Sequence, residues 1–346
     1  MLSGNLWPVH PHPSPDELLS SWLVRIAHGN GEKVQSFCHH EFGIERQIWN
    51  RDIDRQAPEW LLTILSERTA TMIERVKQTT LKRYEGVLFD HYVSSGVEKW
   101  IMPLRIYHRT RKSHGLQFCP VCLKEDVEPY FRTQWRLALH TFCPKHQVML
   151  HDCCPCCGES VVFQRIELGK GKDEAGLDKK LSTCFNCGFD LALSKAEKPI
   201  FINQEIADTW LNLLSELNEN RLSSFDLEQL GVLHHFCKLL TSKVTSKKLL
   251  AFISSNLSTS SIPEPNMALR HFEANDVAVR HGVFEYAWWL LLDWPNNLYS
   301  AWLNGAIRYN QLLKDYRTPP IWFLKIVTIM NLSYKKRLRL KQNLKN

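Results

Sequence analysis

Four short ligand pairs follow one another between Cys119 and Cys187: Cys119-x-x-Cys122, Cys143-x-x-His146, Cys154-x-x-Cys157 and Cys184-x-x-Cys187. Two soft or borderline ligands held two residues apart on a tight turn supply half of the tetrahedral shell that zinc requires. Four such pairs predict two closed zinc sites, and the rest of the chain must fold around them. Of the eleven cysteines in the 346-residue chain, seven lie in these pairs. That usage belongs to metal ligands in a reducing compartment, not to a disulfide framework, and the protein is expected in the cytoplasm.

The first set, Cys119, Cys122, Cys143 and His146, follows a C-x2-C-x20-C-x2-H pattern. The second is locally ambiguous, because Cys153-Cys154-Pro155-Cys156-Cys157 offers more sulfurs than one site needs. Cys154 and Cys157 are the expected ligands. They precede Gly158 as Cys184 and Cys187 precede Gly188, and glycine lets such a turn point its amides at thiolate sulfur. Cys153 and Cys156 are then spare, and whether either replaces a neighbour as ligand stays open. The intervening Glu167 to Lys180, charged and with three glycines, reads as an exposed loop inside a zinc ribbon.

A shell filled by four protein ligands leaves no place for an activated water, so both ions are expected to be structural. A zinc deaminase would need H-x-E with P-C-x-x-C. His39-x-Glu41 is present, but no P-C-x-x-C accompanies it. The chain also has no G-x-x-x-x-G-K-[ST], H-E-x-x-H or G-x-S-x-G motif. A non-catalytic protein is expected, although carboxylate sites assembled from distant residues, as in nucleases, leave no short motif.

Around the cysteines the patterning is helical. Ser14-Pro15-Asp16-Glu17 has the form of a capping box and predicts a helix start, with Leu18, Leu19, Trp22, Leu23 and Ile26 at helical spacing before Gly29-Asn30-Gly31. A second helix from about Glu32 to Phe42 would bury Val34, Phe37 and Cys38. Such a hairpin has the outline of a DNA-reading helix-turn-helix and of helical hairpins in general. Further helices are expected over Glu59 to Glu67 and Ala70 to Thr80, the latter turning Met72, Ile73 and Val76 inward. After the cysteines, Asn203 can cap a helix to Leu217. Asp226 to Leu240, Lys243 to Ile253, Val283 to Trp294 and Asn297 to Tyr316 also read as helices, with Trp288, Trp289, Trp294 and Trp302 as core residues.

The net charge of +7 is compatible with an acidic partner or nucleic acid. Two basic clusters could meet phosphates or be plain solvated surface. One holds Arg105, His108, Arg109, Arg111, Lys112 and His114. The other is the tail with Lys335, Lys336, Arg337, Arg339, Lys341 and Lys345. The longest apolar run, Tyr286 to Leu292, is far short of the roughly 20 residues a membrane span needs, and the N-terminal residues carry no export pattern.

Several segments together resemble the TniQ/TnsD family of Tn7-like transposon target-selection proteins. These are Ser14-Pro15-Asp16-Glu17-Leu18-Leu19-Ser20-Ser21-Trp22-Leu23, Cys119-Pro120-x-Cys122-Leu123, Trp135-Arg136, Cys143-x-x-His146-x-x-x-Leu150, Cys154-Pro155-x-Cys157-Gly158 and Asp293-Trp294-Pro295. The likeness runs from about residue 5 to 320. It implies a protein without a catalytic centre that recognises an insertion site, or a bound CRISPR effector with its guide RNA, and recruits an AAA+ regulator that calls in the transposase. Adapter members of the family can form homodimers, whereas direct readers of an attachment sequence carry longer C-terminal DNA-binding regions. The shortness of this chain favours the adapter.

The expected fold is mainly α with a small zinc-ribbon β component. Residues 1–115 would form a helical domain with helix-turn-helix-like hairpins, 116–195 a paired zinc region holding two structural Zn2+, and 196–346 a helical domain with a basic tail. The rival reading is a direct sequence-reading DNA-binding protein, either an attachment-site selector or a zinc and helix-turn-helix transcription regulator. A zinc nuclease stands third.

Overall fold

The computed structural model describes residues 6–343 apart from 108–109, 112, 169–179, 220, 259–262, 267 and 270, and gives no side chains for 106–107, 110–111, 167–168 and 334–343. It is mainly α-helical, and its contacts divide it into two compact units, Met1–Pro199 and Ile200–Asn346.

In the first unit, α1 (Leu19–Gly29) buries Leu19, Trp22, Leu23 and Ile26 as its spacing predicts. Its start differs from expectation. Ser14-Pro15-Asp16-Glu17 does not open the helix, because Asp16 takes a left-handed φ of 55° and Glu17 forms a β-bridge with Arg132. The Glu17 carboxylate accepts from the Ser14 amide at 2.8 Å, as a capping residue would, but also from Ser21 Oγ at 2.9 Å and Arg25 Nη1 at 2.7 Å. The residue that sequence patterning reads as a cap is therefore a buried ion-pair partner, and Leu18 is an extended residue before the first turn.

Gly31, at φ 71°, lets the chain turn into α2 (Val34–Phe42), which buries Val34, Phe37 and Cys38. Trp7 packs edge-on against Phe37 and Phe42 there, with ring centroids 5.1 and 6.4 Å away. After the short α3 (Ile53–Gln56), α4 (Glu59–Thr69) follows Pro58. Ala70 then adopts φ 50° and closes α4, so α5 is Ile73–Gln78 and shorter than the expected Ala70 to Thr80. Met72 falls outside that helix and is 75% exposed, and only Val76 of the three residues expected inward is fully buried.

Among the described residues, strand structure is confined to two-residue hairpins and isolated bridges. Strands β1 (Ile106–Tyr107) and β2 (Thr110–Arg111) pair antiparallel, and so do β3 (Phe142–Cys143) and β4 (Val148–Met149). Between the hairpins lies α6 (Pro120–Glu125).

The helices and the cysteine region share one core, so the expected seam at 115/116 falls inside the first unit. Leu18 N donates to Phe131 O at 2.8 Å, Phe131 N to Ser21 Oγ at 3.0 Å and Thr133 N to Asp16 O at 2.7 Å. Arg136 makes the strongest tie. With no exposed surface, its guanidinium pairs with Asp52 at 2.6 Å and Asp54 at 3.3 Å. Its remaining N–H groups donate to Gly115 O at 2.8 Å and Met102 O at 2.9 Å. Asp54 in turn accepts from the Ser20 amide and hydroxyl at 2.7 and 2.9 Å, which carries the tie into α1.

The second unit is helical throughout its described residues. Asn203 caps α7 (Gln204–Asn218), and Ser223 with Asp226 forms a full capping box on α8 (Ser224–Leu240). Helix α9 spans Ser246–Leu257, shifted from the expected Lys243 to Ile253. Asp276 caps α10 (Val277–Leu292), which starts six residues before the expected Val283 and is buried on nearly every side, chiefly against α8. Gly305, at φ 71°, divides the expected helix from Asn297 to Tyr316 into α11 (Asn296–Leu303) and α12 (Tyr309–Leu312). Trp288, Trp289 and Trp302 are buried, and Trp294 stacks on Phe323 at 5.9 Å, so all four serve the core. Helix α13 (Ile321–Asn343) follows. Among the described residues no helix is long and apolar enough to cross a membrane.

Removing one partner from a buried ion pair strands the other charge. Arg136→Met should therefore cost the first unit about 3–5 kcal/mol, read as a lower denaturant midpoint in equilibrium unfolding of the full chain. A midpoint equal to that of the parent would show that the guanidinium contributes little.

Candidate metal centres

The first ligand set is assembled from the two ends of a long loop. Cys119 caps α6, its sulfur accepts from the Cys122 amide at 3.5 Å, and Pro120 occupies the first helical turn, where a missing N–H costs nothing. Cys143 ends β3, and the β3–β4 turn brings His146 back beneath it, with Gln147 at φ 50° and its amide on Cys143 O at 2.8 Å.

The four groups converge. His146 Nδ1 lies 3.5, 3.3 and 3.5 Å from the sulfurs of Cys119, Cys122 and Cys143, and the Cys122 and Cys143 sulfurs are 3.8 Å apart. A tetrahedron with metal–sulfur bonds of about 2.3 Å and a metal–nitrogen bond of about 2.0 Å has S···S edges of about 3.8 Å and S···N edges of about 3.5 Å. The donors therefore fit a tetrahedrally bound ion of zinc's size.

The imidazole is oriented for this role. His146 Nε2 lies 3.0 Å from Glu125 Oε2, which also accepts from Lys145 Nζ at 2.7 Å. A proton on Nε2 shared with Glu125 leaves the Nδ1 lone pair facing the sulfurs. Hydrogen bonds from Lys145 and then His146 hold the Glu125 carboxyl below its usual range. Without a cation the sulfurs compete: the Cys119 and Cys122 thiols hold Cys143 down to about 2, while Cys119 and Cys143 push Cys122 up. All three become thiolates together only with a positive centre among them.

The second set uses one turn twice. Cys154 N donates to Glu159 O at 2.9 Å and Gly158 N to Cys154 O at 2.8 Å. Cys184 N donates to Phe189 O at 2.8 Å and Gly188 N to Cys184 O at 2.9 Å. Gly158 and Gly188 take φ of 71° and 78°, where a side chain would be strained. These twin turns set Cys154 3.7 Å from Cys187 and Cys157 3.7 Å from Cys184, sulfur to sulfur, again tetrahedral edges. Cys156 is exposed and outside this cluster.

Sequence reasoning missed a third cluster. His114, Asp152 and Cys153 place their ligand atoms within 4.8 Å of one another, with His114 Nδ1 3.7 Å from Asp152 Oδ1. Asp152 and then Cys153 hold a proton on this imidazole, raising it to about 10. Nothing in the spacing of these residues marks them as a group, since His114 stands in a basic run and Cys153 looks surplus. Reasoning from sequence also missed His140, which is fully buried and drawn down to about 4 by that burial, so it stands neutral beside the first cluster. Arg136, Glu17 and Arg25 were not read as buried charges either.

Of the residues expected to meet nucleic acid, Arg105 is exposed, with φ 46°. Arg109 and Lys112 lie outside the described residues, and Arg111 is described only by its backbone in β2. Lys335, Lys336, Arg337 and Arg339 lie on the backbone of α13 with their side chains outside the described set, as is Lys341, while Lys345 lies beyond it. Most of the expected exposed loop Glu167 to Lys180 is likewise outside it.

Residues 8–150 match the TniQ family model. The matched segment contains α1 to β4 and the first ligand set, and it stops before Cys154, so the second set and the second unit lie beyond it. No curated protein matches the chain.

Because a hydrogen-bonded carboxylate fixes the metal-binding tautomer, Glu125→Ala should weaken the first site by about 10–100-fold, measured by competition with a chromogenic zinc chelator. Cys119→Ser should lose one tightly held ion per chain and melt at a lower temperature. A Cys119→Ser protein with full metal content and unchanged melting would refute the assignment of that site.

Proposed function

Because residues 8–150 match the TniQ family model, we propose that the chain is a non-catalytic target-selection adapter. It joins a target-bound CRISPR effector with its guide RNA, or attachment-site DNA, to an AAA+ regulator of transposition. A TniQ domain implies a target-selection protein of Tn7-like transposition. The adapter role, the partners, action in the cytoplasm and work as a homodimer are the further reading.

Both four-ligand clusters are assigned to structural zinc. Cys119, Cys122, Cys143 and His146 hold one ion, and Cys154, Cys157, Cys184 and Cys187 the other. When bound, each ion supplies cross-linking and charge neutralisation, not a reactive centre. The carrying observation is the family match itself, over a segment whose helices and first ligand set are cross-tied through Arg136 and Phe131. Such a body is suited to presenting fixed surfaces to two partners at once.

One feature favours the adapter over a direct reader. In the helical hairpin, α2 is the element that would enter a groove, and its sequence has no Lys or Arg. Its exposed positions include Ser36, His39 and His40, and His40 Nδ1 lies 3.7 Å from Glu32 and 3.9 Å from Glu41. Carboxylates at that edge would oppose a phosphate backbone. The basic residues Arg105, Arg109, Arg111 and Lys112, with Lys335, Lys336, Arg337 and Arg339, are instead assigned to backbone contact in an assembled complex.

The test is co-purification with the AAA+ regulator encoded in the same element, with and without target DNA or effector. A complex that strengthens when the target is present is expected. No complex under either condition would count against the adapter, and a sequence-preferring, salt-dependent gel shift by the isolated protein would favour the direct reader.

A further inference from the structure

We propose that His114, Asp152 and Cys153 form a third metal site in the first unit, taking one divalent cation of the zinc class with an open coordination position. The ligand atoms of the three residues lie within 4.8 Å of one another. They comprise an imidazole nitrogen, a carboxylate oxygen and a sulfur, the borderline mixture that favours zinc and similar first-row ions over calcium or magnesium.

The site is held from both sides by rigid backbone. Ser113 Oγ donates to Pro103 O, and that same carbonyl lies 2.4 Å from where a Cβ on Gly115 would sit, so no other residue fits there. Gly115 O also accepts from Arg136 Nε at 2.8 Å. His114 is thus clamped between two anchored neighbours. Opposite it, His151 and Phe118 exchange backbone hydrogen bonds of 3.0 and 2.9 Å, Cys153 bridges to Ser160, and the amide of Cys154 is bound to Glu159 O at 2.9 Å. Asp152 and Cys153 sit between these fixed points, so the ion would meet a preformed set of donors.

Cys153 stands apart from the four-ligand cluster that holds Cys154, and a third site gives a role to a cysteine those clusters leave over. The His114 side chain is 42% exposed and Asp152 6%. One side of the site therefore faces solvent, and water can occupy the remaining position. The ion displaces the proton on His114 when it binds. Unlike the two filled shells, this site should exchange its metal readily.

The experiment adds Co2+ to the full chain with its tightly held ions in place and follows thiolate-to-cobalt charge-transfer absorption. The parent protein should take up one further equivalent with the intensity of a single thiolate. Cys153→Ser should abolish that absorption and His114→Ala should weaken binding at least tenfold, while both keep the parent's content of tightly held metal and its melting temperature. Cys156→Ser controls for the other spare cysteine and should behave as the parent does. Absence of the extra equivalent in the parent, its survival in Cys153→Ser, or its loss in Cys156→Ser would overturn the proposal. None of these outcomes bears on whether an AAA+ regulator is bound, so the site and the adapter role stand or fall separately.

Discussion

A guanidinium with no exposed surface holds the first unit together. Moving an ion of this kind out of water costs several kcal/mol unless its charge and its donors are all met, and Arg136 meets them with two aspartates and two carbonyls drawn from three parts of the chain. The pairing is specific as well as strong. A hydrophobic side chain would tolerate many neighbours, whereas a planar fork accepts only acceptors in its plane. The arrangement therefore fixes where α1, α3, the segment before β1 and the loop before β3 lie relative to one another.

The same segment links this charge network to the metal ligands. Gly115 binds Arg136, Gln117 N donates to Trp135 O at 3.0 Å, Phe118 pairs with His151, and Cys119 then begins the first ligand set. Arg136 itself stands seven residues before Cys143. Electrostatic burial and coordination are thus consecutive stations on one short stretch, and a disturbance in either should be felt in the other. This is how the ligand-bearing segment becomes part of a body large enough to be stable.

Much of this was legible in the sequence. Ligand spacing fixed both four-membered clusters, including the choice of Cys154 and Cys157, because the glycine after each turn reports a local backbone requirement that no distant residue can alter. Apolar periodicity likewise located α1, α2, α4, α7 and α8. What could not be read was tertiary in origin. Glu17 looked like a cap because its spacing from Ser14 satisfies the capping rule, yet Arg25 and the bridge to Arg132 claim it. Helix ends at Ala70 and Gly305 depend on left-handed residues that propensity signals weakly or not at all. Arg136 and the meeting of His114 with Asp152 and Cys153 join residues many positions apart, and no window along the chain contains them.

The twin turns at Cys154–Gly158 and Cys184–Gly188 have an evolutionary corollary. Each closes on itself through its own backbone hydrogen bonds, and the two meet at their sulfurs. What shapes each half-site thus travels with its own short turn, so such a turn can be duplicated or transplanted as a unit and still present two sulfurs.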